Sequence, residues 1–429
     1  MKKVAFFLDN RGVCDVDASH AQDGNPGIGG TEYQFLLIAA RLAERLNGID
    51  VRLYVTRAQL LPSVLNVSVV SSLEEAIALC ENDYTEYLVL KHVIENVTTP
   101  RLTSSRGLKF IVWCHVFACY WELDAYARNR DVAKVIFVGK ETMQLYLDHP
   151  IMKKSTYIYN AVPFGRCDKA TKKYPFGKRE HIVTYMGSLV PYKGFHLLAK
   201  AWKDVIKAVP DAQLYVIGSG QVYDSSARMG EYGIAEAKYE HLLCEYLSID
   251  GRLSPSVHFM GRMGSEKNDI LMKTKVGVPN PSGITETFCL CAVEMQCFGA
   301  RIATIKAPGY LDTVRNGILY SSPSQLATTI IRLLQSEEDN YDGAMCFFRK
   351  HFDVEVVVAR WEQLLLEQLE ERTEISNYSY RLKWLKDAVR MVSELVPINR
   401  VLPPVERLLI FWERNVKKQI TYMDSDVSV

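Results

Sequence analysis

At 429 residues the chain exceeds what one ordinary hydrophobic core organises, so two domains are expected. Its composition, 48% hydrophobic and 24% charged, is that of a globular protein. With 51 Lys+Arg against 50 Asp+Glu, no global field gathers nucleic acid or an acidic membrane, which sets aside a dedicated nucleic-acid binder. None of the ten cysteines forms a CxxC pair, so neither a zinc site nor a thioredoxin-type motif is indicated. Most lie in apolar runs (Cys114, Cys119, Cys244, Cys289, Cys291, Cys297), as buried free thiols in a reducing compartment would. The start "MKKVAFFLDNRG" has too short an apolar run for a signal peptide, and "FIVWCHVFACYW" (110 to 121) is too short to span a bilayer. A cytoplasmic protein is expected.

In chain order, "KVAFFL" (3 to 8) reads as a strand and "TEYQFLLIAARLAERLNG" (31 to 48) as a helix ended by glycine. "DVRLYVT" (50 to 56), "EYLVLKH" (86 to 92), "KFIVWCH" (109 to 115), "KVIFVG" (134 to 139) and "STYIYNAV" (155 to 162) follow as strands, several with helical segments between them. This βαβ rhythm predicts a parallel sheet covered on both faces. A basic, Pro- and Gly-containing segment then interrupts it, and 164 to 180 is expected to link domains. The alternation resumes with strands at 181 to 188, 212 to 220, 256 to 261, 274 to 279 and 301 to 305, and a helix at 194 to 208. The expected division is thus 1 to 163, the linker, and a second domain at 181 to 370. From about 352 the pattern turns helical, strongest at 354 to 372, and 371 to 429 is expected to be a helical extension packed back on the first domain. The fold class is α/β: two doubly wound Rossmann-like domains facing a central cleft, with ligand at the strands' C-terminal ends.

Three stretches carry candidate chemistry. The loop 9 to 30 is long and ends "GNPGIGG"; paired glycines at a helix start let an anion approach backbone N–H groups. Thr31 and Gln34 stand at capping-box spacing. In "MGSLVPYKGFHLLAKAW", Lys193 sits at a strand's C-terminal end just before a helix, where a lysine can neutralise phosphate. In "PNPSGITETFCLCAVEMQCFGARIATI" (279 to 305), Glu286 falls at the start of a helix expected at about 287 to 298, and Glu294 lies a little over two turns on, among apolar neighbours. A buried carboxylate needs donors, and sugar or ribose hydroxyls supply two at once.

Taken in order, these stretches together with "LYVIGSG", "VHFMGRM", "YIYNAVP", "PGYLDTVRNGILY" and the histidine of "VWCHV" resemble the GT-B glycosyltransferases, the group-4-like retaining family, over about residues 3 to 370. The resemblance implies that Glu286 contacts donor-sugar hydroxyls and Glu294 the ribose diol. Backbone amides around Phe288, Cys289 and Leu290 would hold the diphosphate, with Thr287 beside them in the donor site. Lys193 would neutralise the leaving phosphate, Gly29 and Gly30 would close on it from the first domain, and His115 would lie at the reacting centre. Ser188, Gly218, Arg262 and Met263 complete the implied donor site, the last two at the base. His115, Lys193 and Glu286 are the implied catalytic set.

The sequence departs from the family in two places. Ser188 stands where an arginine usually follows the strand glycine, and "ETFC" replaces "EGFG", so Thr287 and Cys289 replace glycines. The expected activity is metal-independent retaining transfer of a hexose from a nucleoside diphosphate sugar, best guessed as UDP-glucose or a related UDP-hexose, to a saccharide or lipid-linked saccharide acceptor in polysaccharide or glycolipid synthesis. No cofactor beyond that donor is expected. The basic, aromatic stretch 403 to 420 is a candidate peripheral membrane contact. Two rivals stay open: a nucleotide-sugar epimerase, and a non-catalytic subunit that binds nucleotide sugar or a partner.

Overall fold

The computed structural model describes residues 1 to 366 apart from 46–47, 93–101, 119, 147–148, 166–173 and 223–227. The first domain is a seven-stranded sheet built from β1 (Lys2–Leu8), β2 (Ile49–Val55), β3 (Asn66–Val69), β4 (Tyr87–Lys91), β5 (Lys109–Cys114), β6 (Val132–Phe137) and β7 (Ser155–Tyr157). It is parallel throughout, in the order β3-β2-β1-β4-β5-β6-β7. Helices α1 (Gly30–Glu44), α2 (Leu73–Asn82), α3 (Tyr120–Arg128) and α4 (Lys140–Gln144) connect the strands. An all-parallel sheet must be covered on both faces, which is why β4 and β5 read as continuous apolar runs.

The second domain repeats the plan with β8 (Ile182–Met186), α5 (Phe195–Ala208), β9 (Gln213–Ile217), α6 (Ala237–Leu247), a small hairpin of β10 (Ser248–Ile249) and β11 (Arg252–Leu253), β12 (Val257–Gly261), α7 (Lys267–Lys273), β13 (Val276–Gly277), α8 (Leu290–Cys297), β14 (Arg301–Ile305), α9 (Pro308–Thr313), β15 (Gly317–Tyr320) and α10 (Leu326–Gln335). Its six strands run β12-β9-β8-β13-β14-β15, also parallel. Setting the hairpin aside, both sheets share the 3-2-1-4-5-6 order of doubly wound folds, whose strand order reverses beside the first strand and opens a ligand crevice there. In α5, Phe195, Leu198, Ala199, Trp202 and Val205 are buried at helical spacing and form one wall of the second core.

Several expectations are corrected. β13 is two residues long, not 274 to 279, because Pro279 has no N–H to continue the ladder. β7 stops at Tyr157, and the chain from Ala161 turns to meet α1 and Asp353 instead. β3 and β15 are strands the sequence pattern missed. The second domain also ends earlier than 370. After α11 (Tyr341–Phe352), helix α12 (Val354–Leu365) crosses back to the first sheet. Its apolar stripe of Val354, Val357, Val358, Trp361, Leu364 and Leu365 is buried, with the Trp361 ring 4.6 Å from Trp113 and 6.2 Å from Phe6. Arg45 of the first domain holds the helix through Glu362 at 2.7 Å and through Glu355. The expected extension 371 to 429, with the stretch 403 to 420, lies outside the described residues. One apolar cluster therefore runs from β1, α1 and α12 through α11 into α8, so the two domains share a core.

Candidate functional site

A cavity of about 1030 Å³ lies between the two sheets. Its walls come from the loops after β1, β8, β9 and β12 and from the start of α8. Gly29, Gly30, Ser188, Gly218, Arg262, Met263, Leu290 and Glu294 all line it. His115, Lys193, Glu286, Thr287, Phe288 and Cys289 do not.

The first-domain wall is the loop preceding α1, which is pinned rather than loose. Asn25 Oδ1 accepts the Gly27 and Ile28 N–H groups, both at 2.9 Å, and Gln59 Nε2 donates to the carbonyls of Val13 and Val16. The loop leans on the second domain, where a Cβ at Gly27 would lie 3.2 Å from both Arg262 Cγ and the Met263 carbonyl oxygen. α1 begins at Gly30 with Gly29 as its N-cap and no side-chain capping hydrogen bond, so the expected capping box from Thr31 is absent. Gln34 is instead buried and exchanges two 2.8 Å hydrogen bonds with the Ala161 backbone, a stronger demand on a buried amide than capping an exposed turn.

The second-domain wall brings the charged residues together. Lys193 follows β8 in a short turn closed by Gly194, whose φ of +69° is left-handed. A Cβ at Gly194 would come within 2.7 Å of Ser282 Cβ and 2.8 Å of its backbone nitrogen, so only glycine lets this turn lie against the loop that carries Glu286. Lys193 Nζ then reaches Glu286 Oε2 at 3.4 Å. Helix α8 starts at Leu290, not 287, so Glu286 sits in the preceding loop and owes its place to side chains rather than to a helix dipole. Asn280 Nδ2 donates to Glu286 Oε2 at 2.9 Å and to the Ile284 carbonyl at 3.0 Å. Ser282 Oγ lies 2.7 Å from both Asn280 Oδ1 and the Tyr192 carbonyl and shares its one proton between them, fastening the carboxylate loop to the lysine turn.

Glu294 was expected among apolar neighbours, but its side chain is 27% exposed and faces the cleft, paired at 3.1 Å with Lys267. Lys267 is itself buried and also donates to the Gly264 carbonyl (3.1 Å) and to Asn25 (3.4 Å) in the opposite domain. The Cys291 thiol, pushed up to about 12 chiefly by burial, lies within the fields of Glu294, Glu286, Lys193 and Lys267 together. Cys291 lines the cleft together with Glu294 and Lys267, whereas the Lys193–Glu286 pair lies behind that wall. Ser188 bonds the Ser219 carbonyl at 3.3 Å, and Phe288 packs inward on Tyr159 and Phe352.

His115 directly follows β5, its ring 4.5 Å from Trp113 and 6.0 Å from Phe35. Burial, with Lys91 adding to it, lowers its pKa to about 3, so the imidazole is neutral across the physiological range. Among the described residues its Nε2 has no hydrogen-bond partner, and an unsatisfied buried polar atom at a strand's C-terminal end is a place for a ligand to bond. Sequence reasoning missed Lys267, Asn280 and Asp312. A lysine inside a helix reads as solvated, and only an asparagine held between two prolines, "PNP", signalled a polar turn at 280.

Two Rossmann-like domains of this order, facing each other across a ligand-sized cleft with charged loops at the strand ends, have the GT-B fold of glycosyltransferases. Residues 168–343 match the family model of glycosyl transferases group 1. Among solved structures, the sucrose-phosphate synthase of Thermosynechococcus elongatus is similar at a TM-score of 0.64 and 16% identity, over 86% of this chain and 99% of that one. Anabaena Alr3699/HepE in complex with UDP-glucose is similar at a TM-score of 0.60 and 15% identity, over 86% and 100%. A glycosyltransferase from Rickettsia africae gives 0.62 and 12%, over 86% and 99%. No curated protein matches the chain in sequence.

Proposed function

We propose that the protein transfers a hexose from a nucleoside diphosphate sugar to an acceptor hydroxyl with retention of configuration, the donor being UDP-glucose or a related UDP-hexose. The observation that carries this reading is the pair of ion pairs, Lys193–Glu286 and Lys267–Glu294, flanking the start of α8 beside a cleft of about 1030 Å³. That arrangement suits a ligand with a diphosphate between two hydroxyl-bearing rings. Carboxylates accept from diols, while a lysine and the free amides of a helix start hold phosphate. Such a cleft lies at the upper end of the range for ligand pockets. The complex of Alr3699/HepE with UDP-glucose supports the same donor class.

In this reading Lys193 and the amides at 288 to 290 stabilise the charge that develops on the departing diphosphate, the fixed-dipole and cation effect that dominates such reactions. Glu286, held by Asn280, orients the hexose, and the neutral His115 offers its unpartnered Nε2 to the sugar. Domain closure keeps water from the reacting carbon. The acceptor is proposed to be a saccharide or lipid-linked saccharide. Ser188, a neutral residue on the cleft wall where the resembled family carries arginine, favours a second reading, a subunit that binds nucleotide sugar without turnover. Release of nucleoside diphosphate from a panel of UDP-, GDP- and ADP-hexoses, with Glu286→Gln as control, separates the two. Turnover abolished by the variant supports transfer, and binding without turnover supports the subunit.

A further inference from the structure

The loop that carries Glu286 is fastened from both domains. Thr287 Oγ1 donates to the carbonyl of His115 at 2.6 Å, and the Thr287 carbonyl accepts from Thr142 Oγ1 at 2.9 Å, at the start of α4. Both threonines are buried. On its own side the loop is pressed by α9, where the Gly309 N–H donates to the Glu286 carbonyl at 3.1 Å and a Cβ at Gly309 would lie 2.7 Å from Phe288 N. One turn later Asp312 accepts the Glu141 N–H and the Tyr159 hydroxyl, each at 3.0 Å, so α9 also grips the first domain. Thr285, two residues before Thr287, has a φ of +61°, an unfavourable left-handed conformation for a β-branched side chain. Strain of that kind persists only where surrounding contacts over-determine the backbone, and here two of those contacts cross between domains.

We infer that Thr287 is a positioning residue whose hydrogen bonds to His115 and from Thr142 form a clasp that sets the histidine against the Glu286 loop when the domains are together. This rests on the donor-site reading above. Opening the domains breaks both bonds at once, releasing the loop and the backbone that aims the His115 ring. The residue at this position matters because the resembled family carries glycine there, and glycine has no hydroxyl to bridge the cleft floor. The chain therefore gains a link between its donor loop and its first-domain histidine in place of the backbone access a glycine gives.

Thr142 tests the clasp because it lies outside the donor site. Thr142→Val keeps the volume and removes the donor, while Thr142→Ser keeps the donor. For Thr142→Val the clasp predicts a fall in kcat of tenfold or more, a nucleotide Kd within twofold of wild type, and faster amide exchange at 286 to 288. Thr142→Ser should restore both kcat and protection. Thr142→Ala should show the same fall in kcat and the same loss of protection, and serves if the valine variant does not fold. Unchanged kcat and exchange in Thr142→Val would overturn the clasp, as would a Kd that weakens in step with kcat, which marks collapse of the donor loop. If wild type binds no nucleotide, the donor reading fails by itself. Exchange then still decides the clasp, with protection lost in the valine variant supporting it and equal protection refuting it.

Discussion

Glu294→Ala is the variant whose consequences the structure defines best. In the free protein it strips the counter-charge from Lys267, which is buried and keeps only two carbonyls, at 3.1 and 3.4 Å. Breaking a fully buried pair costs about 3–5 kcal/mol, but Glu294 is 27% exposed, so a loss of roughly 1–2 kcal/mol is expected. On the proposed donor reading it also removes, in the complex, the acceptor for two ribose hydroxyls. A hydrogen bond to a charged group contributes about 1.5–3 kcal/mol, so losing two weakens binding by about 3 kcal/mol or more, on the order of a hundredfold in Kd. Calorimetric titration with UDP and urea unfolding on the same samples separate the two effects. A drop in stability with an unchanged Kd would refute the ribose role and leave Glu294 as a structural partner of Lys267. Glu294→Gln should lie between, because the amide keeps one acceptor oxygen and loses the charge.

Glu286→Gln should lower kcat by about a hundredfold while leaving the Kd for free nucleoside diphosphate within threefold, because the proposed reading sets the carboxylate against the sugar; steady-state kinetics and titration check it. Trp361→Ala should destabilise the protein by about 3–5 kcal/mol in urea unfolding, because the ring is fully buried against Trp113 and Phe6; a loss under 1 kcal/mol would show that α12 does not complete the first core. Asp312 gives a pH prediction. Burial, with the charge of Glu141 adding to it, pushes its pKa up from 3.8 to about 7, against the opposing Glu141 N–H, Tyr159 and Arg315. The folded carboxyl thus holds its proton where the unfolded one has released it, and this group's contribution to stability falls as pH rises from about 4 to about 7, then levels. The stability of wild type relative to Asp312→Asn, measured by unfolding at pH 5 and pH 8, should therefore be lower at pH 8; parallel pH curves would contradict it.

Much of the fold was legible in the residues because each signal was local. Alternating apolar runs and amphipathic stretches give most strands and helices of both sheets. The lapses lie where tertiary contacts override local preference. Gln34 reads as a cap but serves a buried backbone, and α12 reads as part of the second domain but covers the first sheet. Of the site, residues set by motif order were findable: Gly29, Gly30, Arg262, Met263, Leu290 and Glu294 do line the cleft. Those set by side-chain partnership across elements were not. Nothing in the local sequence of Lys267 or Asp312 announces an ion pair or a domain contact 27 or 171 residues away. The exposure of Glu294 was misjudged for a related reason, since apolar neighbours in sequence do not fix which side of a helix meets a cleft.

The most direct test is calorimetric titration of the wild-type protein with UDP, GDP and ADP and their hexose conjugates. Micromolar binding of one nucleotide family, with UDP and UDP-glucose expected, is the result predicted by the two ion pairs at α8. No binding of any of them at millimolar concentration would contradict a nucleotide-sugar site in this cleft.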